Sequence, residues 1–165
     1  MLMRPRNKIF LIVVLWFLVA GIAVYWFAVS LQNQGQAPSA SLDEDGNGVY
    51  DRVDSYIESK YSGTDNLLLR SGLRQYASAL QNGIEHSDDK ELSIQFAEAS
   101  DRAQECVYYL SPDSADEALS GLEAALLNSH ELSQKFVKLS EQSAGEVFES
   151  AKLDARKDSC AFKID

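Results

Sequence analysis

Apolar residues are distributed along this chain in two different ways. Positions 9–29 form an uninterrupted run of 21 residues without a charge, and a helix of that length reaches roughly 31 Å, the thickness of a bilayer core. Beyond it, apolar residues return singly at steps of three and four, the period of helices with one buried face. Leu69, Leu73, Tyr76, Leu80 and Ile84 make one such stripe over 65–86, after Thr64 as a cap. Leu92, Phe96, Ala99, Ala103, Cys106 and Leu110 make a second, opened by Asp88 and Glu91. The spacing Ser114-x-x-Glu117 predicts a capping box ahead of Ala118, Leu122, Ala125 and Leu126. Asn128-x-x-Glu131 similarly opens a last helix carrying Leu132, Phe136, Leu139 and Val147. With a short helix after the acidic loop at 43–54, the pattern predicts an all-α fold: an N-terminal transmembrane helix followed by a small antiparallel helical bundle of four to five helices. Phe96, Phe136 and Phe148 are assigned to packing.

Charge divides the chain at the same place. The first 30 residues hold Arg4, Arg6 and Lys8 and no acid, so the remaining 135 carry 25 acids against 12 bases, a net charge of −13. Basic residues ahead of a spanning segment keep the amino terminus in the cytoplasm. The resulting division is a cytoplasmic basic start at 1–8, a transmembrane signal-anchor helix at 9–31, a polar flexible linker at 32–42, an acidic loop at 43–54 and a periplasmic helical domain at 51–165. The localisation expected from this order is the bacterial inner membrane, with a single span and the body in the periplasm. A cleavable leader is the alternative, with Ala28-Val29-Ser30 as a small-residue site. The run is longer than a usual signal core, however, and Tyr25-Trp26-Phe27 crowd that site. An acidic body also argues against nucleic acid or anionic lipid as a ligand.

The acidic loop carries the sharpest chemistry. Asp43-Glu44-Asp45-Gly46-Asn47-Gly48-Val49-Tyr50-Asp51-Arg52-Val53-Asp54 sets oxygen side chains at loop positions 1, 3, 5, 9 and 12 and glycine at position 6. Ca²⁺ takes six to eight hard oxygen ligands, and alternate residues of a tightly wound loop aim their side chains at one centre. Asp43, Asp45 and Asn47 are expected to ligate through side chains, Val49 through its carbonyl, Asp51 directly or through water, and Asp54 from the first turn of the following helix. Position 12 is Asp, shorter than the usual bidentate Glu, and 38–42 is too short for an entering helix, so this is half of an EF-hand. An isolated loop of this kind would bind at about 10⁻⁴ to 10⁻³ M. The metal-free alternative is a turn that caps the next helix.

On these twelve residues the chain resembles the single-helix calcium loops of dockerin-like modules. It also resembles exported bacterial proteins in which a D-x-[DN]-x-N-G-x-x-D-x-x-[DE] loop leads into a small helical domain. Val53-Asp54-Ser55-Tyr56-Ile57, Ser143-Ala144-Gly145-Glu146-Val147-Phe148 and Cys160-Ala161-Phe162 are similar to stretches of that second group. The resemblance implies a helical fold and one ion, and no reaction.

Cys106 falls on an apolar stripe and Cys160 follows the last helix. An oxidising compartment favours a disulfide between them; two buried free thiols are the alternative. There is no Cys-x-x-Cys to lower a thiol pKa. His130-Glu131 begins like a zinc-protease helix, but Gln134 stands where the second histidine belongs, and His130 is expected to be solvated. No nucleophile elbow, P-loop or dinucleotide fingerprint occurs. Asp88-Asp89 at a helix start suits the positive end of the dipole and needs no catalytic role.

The functional expectation is therefore a non-enzymatic, single-pass inner-membrane protein whose periplasmic domain is an interaction or structural module for an unknown protein partner, ordered by one Ca²⁺. An exported ligand-binding or enzymatic bundle is the alternative, as is the same domain made soluble by cleavage of the leader.

Overall fold

The computed structural model describes residues 43–164, and among them the chain forms helices and no strands. The α-helices are α1 (Asp51–Lys60), α2 (Leu67–Glu85), α3 (Lys90–Leu110), α4 (Ala115–Leu126) and α5 (His130–Gln142). Short 3₁₀ segments lie at Thr64–Asn66 and Leu153–Ser159. None of these helices is long and apolar enough to cross a membrane. That corrects the expected architecture of a spanning helix plus a bundle: each described helix is apolar on one face only, and what the structure describes is the bundle alone. The start at 1–8, the segment at 9–31 and the linker at 32–42 lie outside the described residues.

Two of the helices, α3 and α5, start where a side-chain oxygen meets free backbone N–H groups, each one position from the expected place. Asp89 caps α3 by accepting from the Glu91 and Leu92 amides at 2.9 and 3.1 Å, while Asp88 is turned to Lys138. Ser129, not Asn128, caps α5, accepting from the Leu132 amide at 3.2 Å. Ser114 does stand at the N-cap of α4, yet makes no side-chain cap bond and instead shares a hydrogen bond with the Ser111 hydroxyl. Thr64 caps nothing, because it opens a 3₁₀ turn and α2 begins only at Leu67. At α3 and α5 two neighbouring side chains compete for the cap, and the approach of the chain selects one. α5 ends at Gln142, with Gly145 at φ +89° in the turn beyond it. Val147, expected on that helix, is therefore outside it and 93% exposed.

α2 is the centre of the packing. Leu73, Tyr76, Ala77, Leu80 and Ile84 are buried on it, against Val53 and Ile57 of α1, Ala103 and Val107 of α3, Leu122 and Leu126 of α4, and Leu139 of α5. Burying a large aliphatic side chain stabilises the fold by roughly 1.5 to 3 kcal/mol each, so these few residues are the main source of cohesion. Two glycines bring the helices close. A Cβ at Gly72 would meet Leu110, Cys106 and Val107, and one at Gly83 would meet Leu139 and Phe96. The start of α2 thus lies on the end of α3 and the end of α2 on its start, which makes the pair antiparallel.

The carboxyl-terminal segment folds back along α3. Cys106 and Cys160 sit at disulfide distance with Cα atoms 4.9 Å apart. Buried Glu105 accepts from the Ala151 amide at 2.6 Å and from the Ser159 hydroxyl at 2.8 Å. Gln75 of α2 completes the seam, donating to the Ser159 carbonyl and accepting from the Ala161 amide.

Candidate metal centre

The acidic loop is wound by its own side chains. Asp43 accepts from the Asn47 amide at 3.1 Å and the Gly48 amide at 2.8 Å. Asp45 accepts from the Asn47 amide at 3.0 Å and the Asn47 side-chain amide at 2.9 Å. Asn47 Oδ1 accepts from the Val49 amide at 2.8 Å, and Asp51 reaches back to the Glu44 amide at 3.1 Å. Such turns require left-handed backbone, which Gly46 (φ +69°) and Gly48 (φ +83°) supply without steric cost.

Winding brings three of the six expected ligands together. Asp43, Asp45 and Asp51 each offer a carboxylate oxygen, and these atoms all lie within 4.8 Å of one another. Oxygens bound to one Ca²⁺ at 2.3 to 2.6 Å are at most about 5 Å apart across the sphere, so the three fit a single calcium ion by size and by hardness. Asn47 sits beside them with its oxygen engaged by the Val49 amide, and Val49 is buried at the floor of the loop. Asp54 is not in the cluster. Its Oδ1 accepts from Arg74 Nε of α2 at 2.6 Å, and Arg74 also reaches Glu58. The Asp54 hydrogen bond holds the Arg74 guanidinium above its ordinary pKa, with burial opposing. Even so, Asp54 lines the same open depression of about 380 Å³ as Glu44, Asp45, Asp51 and Ser55.

The loop is fastened to the bundle by a residue that pattern reading passes over. Gln81 of α2 is buried, accepts from the Tyr50 amide at 3.0 Å and donates to the Gly48 carbonyl at 3.4 Å. The signal was available, because Gln81 continues the i+4 row Leu69, Leu73, Ala77 and is the polar member of an otherwise apolar row. Tyr50, which stands at the N-cap of α1, donates from its hydroxyl to Glu85 at 2.8 Å. Burial and then that carboxylate push the Tyr50 phenol far above its usual pKa.

Elsewhere the candidate groups are drawn into structure. Cys106 and Cys160 face each other, the His86 ring packs on Phe96 and meets the Asn82 carbonyl, and His130 is exposed at the first turn of α5. A groove of about 590 Å³ runs beside the loop between α2 and α3, lined by Val49, Arg74, Ser78, Phe96 and Ala161 among others. It is open, so a small molecule lying there would keep much of its surface in water.

No family model matches the chain, and no curated protein or solved structure is significantly similar to it.

Proposed function

We propose that the helical domain is an exported interaction or envelope-structure module, resident in the periplasm of a bacterium, whose amino-terminal loop is ordered by one Ca²⁺. The observation that carries the ion is the convergence of Asp43, Asp45 and Asp51 within 4.8 Å. The residues that would hold it are these three with the Val49 carbonyl, assisted by Asn47 and Asp54; when bound, the ion supplies charge neutralisation and a fixed loop shape, and no reaction. Gln81 would pass that order to α2, since it holds the Gly48 carbonyl and the Tyr50 amide. An oxidising compartment is supported by the apposed Cys106 and Cys160. The domain would act by presenting helical faces to a protein partner, and its excess of acids makes nucleic acid a poor one.

The test is thermal unfolding of the oxidised full chain with 10 mM Ca²⁺, with 10 mM Mg²⁺ and with neither, alongside Asp43→Ala/Asp45→Ala. For a site of millimolar affinity, mass action predicts a calcium-specific rise of about 4 °C that the double variant abolishes. Equal midpoints in calcium and magnesium would reduce the loop to an acid-rich helix cap.

A further inference from the structure

Asp54 has two possible partners, and the structure shows it with the one inside the protein. It faces the depression that Asp45 and Asp51 also line, at the loop position that closes a calcium sphere, yet its carboxylate is held by Arg74 at 2.6 Å. Arg74 is anchored on α2 and pairs at the same time with Glu58, one helical turn beyond Asp54 on α1. Losing Asp54 would therefore not leave the guanidinium alone. Both side chains are partly exposed, Arg74 at 32% and Asp54 at 23%, so their exchange needs a rotamer change and no opening of the core.

We propose that Arg74 is a built-in competitor of calcium: it holds Asp54 away from the ion, sets the calcium threshold of the loop, and makes ion binding and the Arg74 tether between α1 and α2 alternatives. This rests on the calcium reading of the loop. Two physical effects act in the same direction. The guanidinium occupies the carboxylate that would complete the sphere, and its positive charge repels a divalent cation close by. Linkage then requires reciprocity: calcium weakens the Asp54–Arg74 pair by the same factor by which that pair weakens calcium.

The experiment is calorimetric titration of Ca²⁺ into the oxidised full chain at low ionic strength, for the native protein, Arg74→Met, Asp54→Ala and the double variant, with helical circular dichroism checked for each. Arg74→Met keeps most of the side-chain bulk and removes the charge; Arg74→Lys, which keeps the charge, serves as a second variant if the first does not fold. Competition predicts that Arg74→Met tightens calcium binding by about three-fold or more, as expected for a partly exposed pair, and that this gain disappears in the Asp54→Ala background. The corresponding expectation for Arg74→Lys is a gain smaller than that. If the native chain binds calcium but Arg74→Met leaves affinity unchanged or weaker, or if the gain persists without Asp54, the competition is overturned while the calcium site stands. If the native chain does not bind and Arg74→Met does, in a manner abolished by Asp43→Ala, the competition holds in its strongest form. Binding by neither overturns both.

Discussion

Glu105 and Ser159 are hydrogen-bonded at 2.8 Å one residue before each end of the Cys106–Cys160 pair. The carboxyl-terminal segment is thus registered on α3 twice over, once through sulfur and once through a buried carboxylate. The two attachments differ in kind. The disulfide closes a separation of 54 residues and acts largely by restricting the unfolded chain, whereas Glu105 acts in the folded state by satisfying the Ala151 amide and the Ser159 hydroxyl.

Reduction is expected to lower unfolding free energy by about 4 kcal/mol on the loop-entropy model, read as the difference between urea curves with and without a dithiol. Glu105→Gln, in the oxidised protein, is expected to lower it by about 1 to 3 kcal/mol. Coincident oxidised and reduced midpoints would show that the cysteine pair contributes nothing to stability.

Gln81 connects the loop to the bundle, so Gln81→Leu should strand the buried Tyr50 amide and the Gly48 carbonyl. A cost of about 1 to 3 kcal/mol follows. Amide exchange gives the sharper check: protection should fall at residues 48–54 and hold through α3. Uniform loss across the molecule would mean that Gln81 serves the core and not the loop.

Gly121 of α4 lies directly against Tyr56 of α1, and a Cβ there would run into the Tyr56 hydroxyl. Gly121→Ala is expected to destabilise by about 1 to 3 kcal/mol through overpacking, despite alanine's better helix propensity. Combining it with Tyr56→Phe should recover much of the loss, since the colliding atom is then gone. Additive effects of the two changes in a double-mutant cycle would place the clash elsewhere.

High pH should destabilise the domain through its buried tyrosines. Tyr76 is raised far above its ordinary value by burial and then by Glu123, Tyr50 by burial and then Glu85, and Tyr61 to about 12 by burial and then Tyr56. A raised folded-state pKa means that the neutral phenol is favoured by the fold. The stability these tyrosines contribute is fully present below the unfolded value of about 10 and is lost as pH rises from there through about 12 and above. Denaturant midpoints measured from pH 8 to 11.5 should be flat and then fall, with a smaller fall in Tyr76→Phe; an unchanged profile in that variant would remove Tyr76 as a contributor.

The helical class of the described domain was legible because each stripe repeats at three and four residues over many turns, and repetition averages out individual exceptions. Starts and ends were less so. Asp88, Asn128 and Thr64 are chemically able to cap, but a cap is chosen by where the chain arrives, which neighbouring oxygens of similar chemistry cannot reveal. Val147 continued a period past Gly145, where the backbone turns with positive φ and the helix is already over.

The sequence by itself determined the helical period, the spacing of acids and glycines that winds the 43–54 loop, and the presence of two cysteines on the same domain. These are local properties, set by covalent order and short-range geometry. Only the tertiary structure decided which partner each long side chain takes. Asp54 lies with Arg74, 20 residues away, Glu105 with Ser159, 54 away, and Tyr50 with Gln81, 31 away. No periodicity encodes such pairs, because they depend on how helices cross, and helix crossing is fixed by the fit of whole faces, Gly72 and Gly83 included.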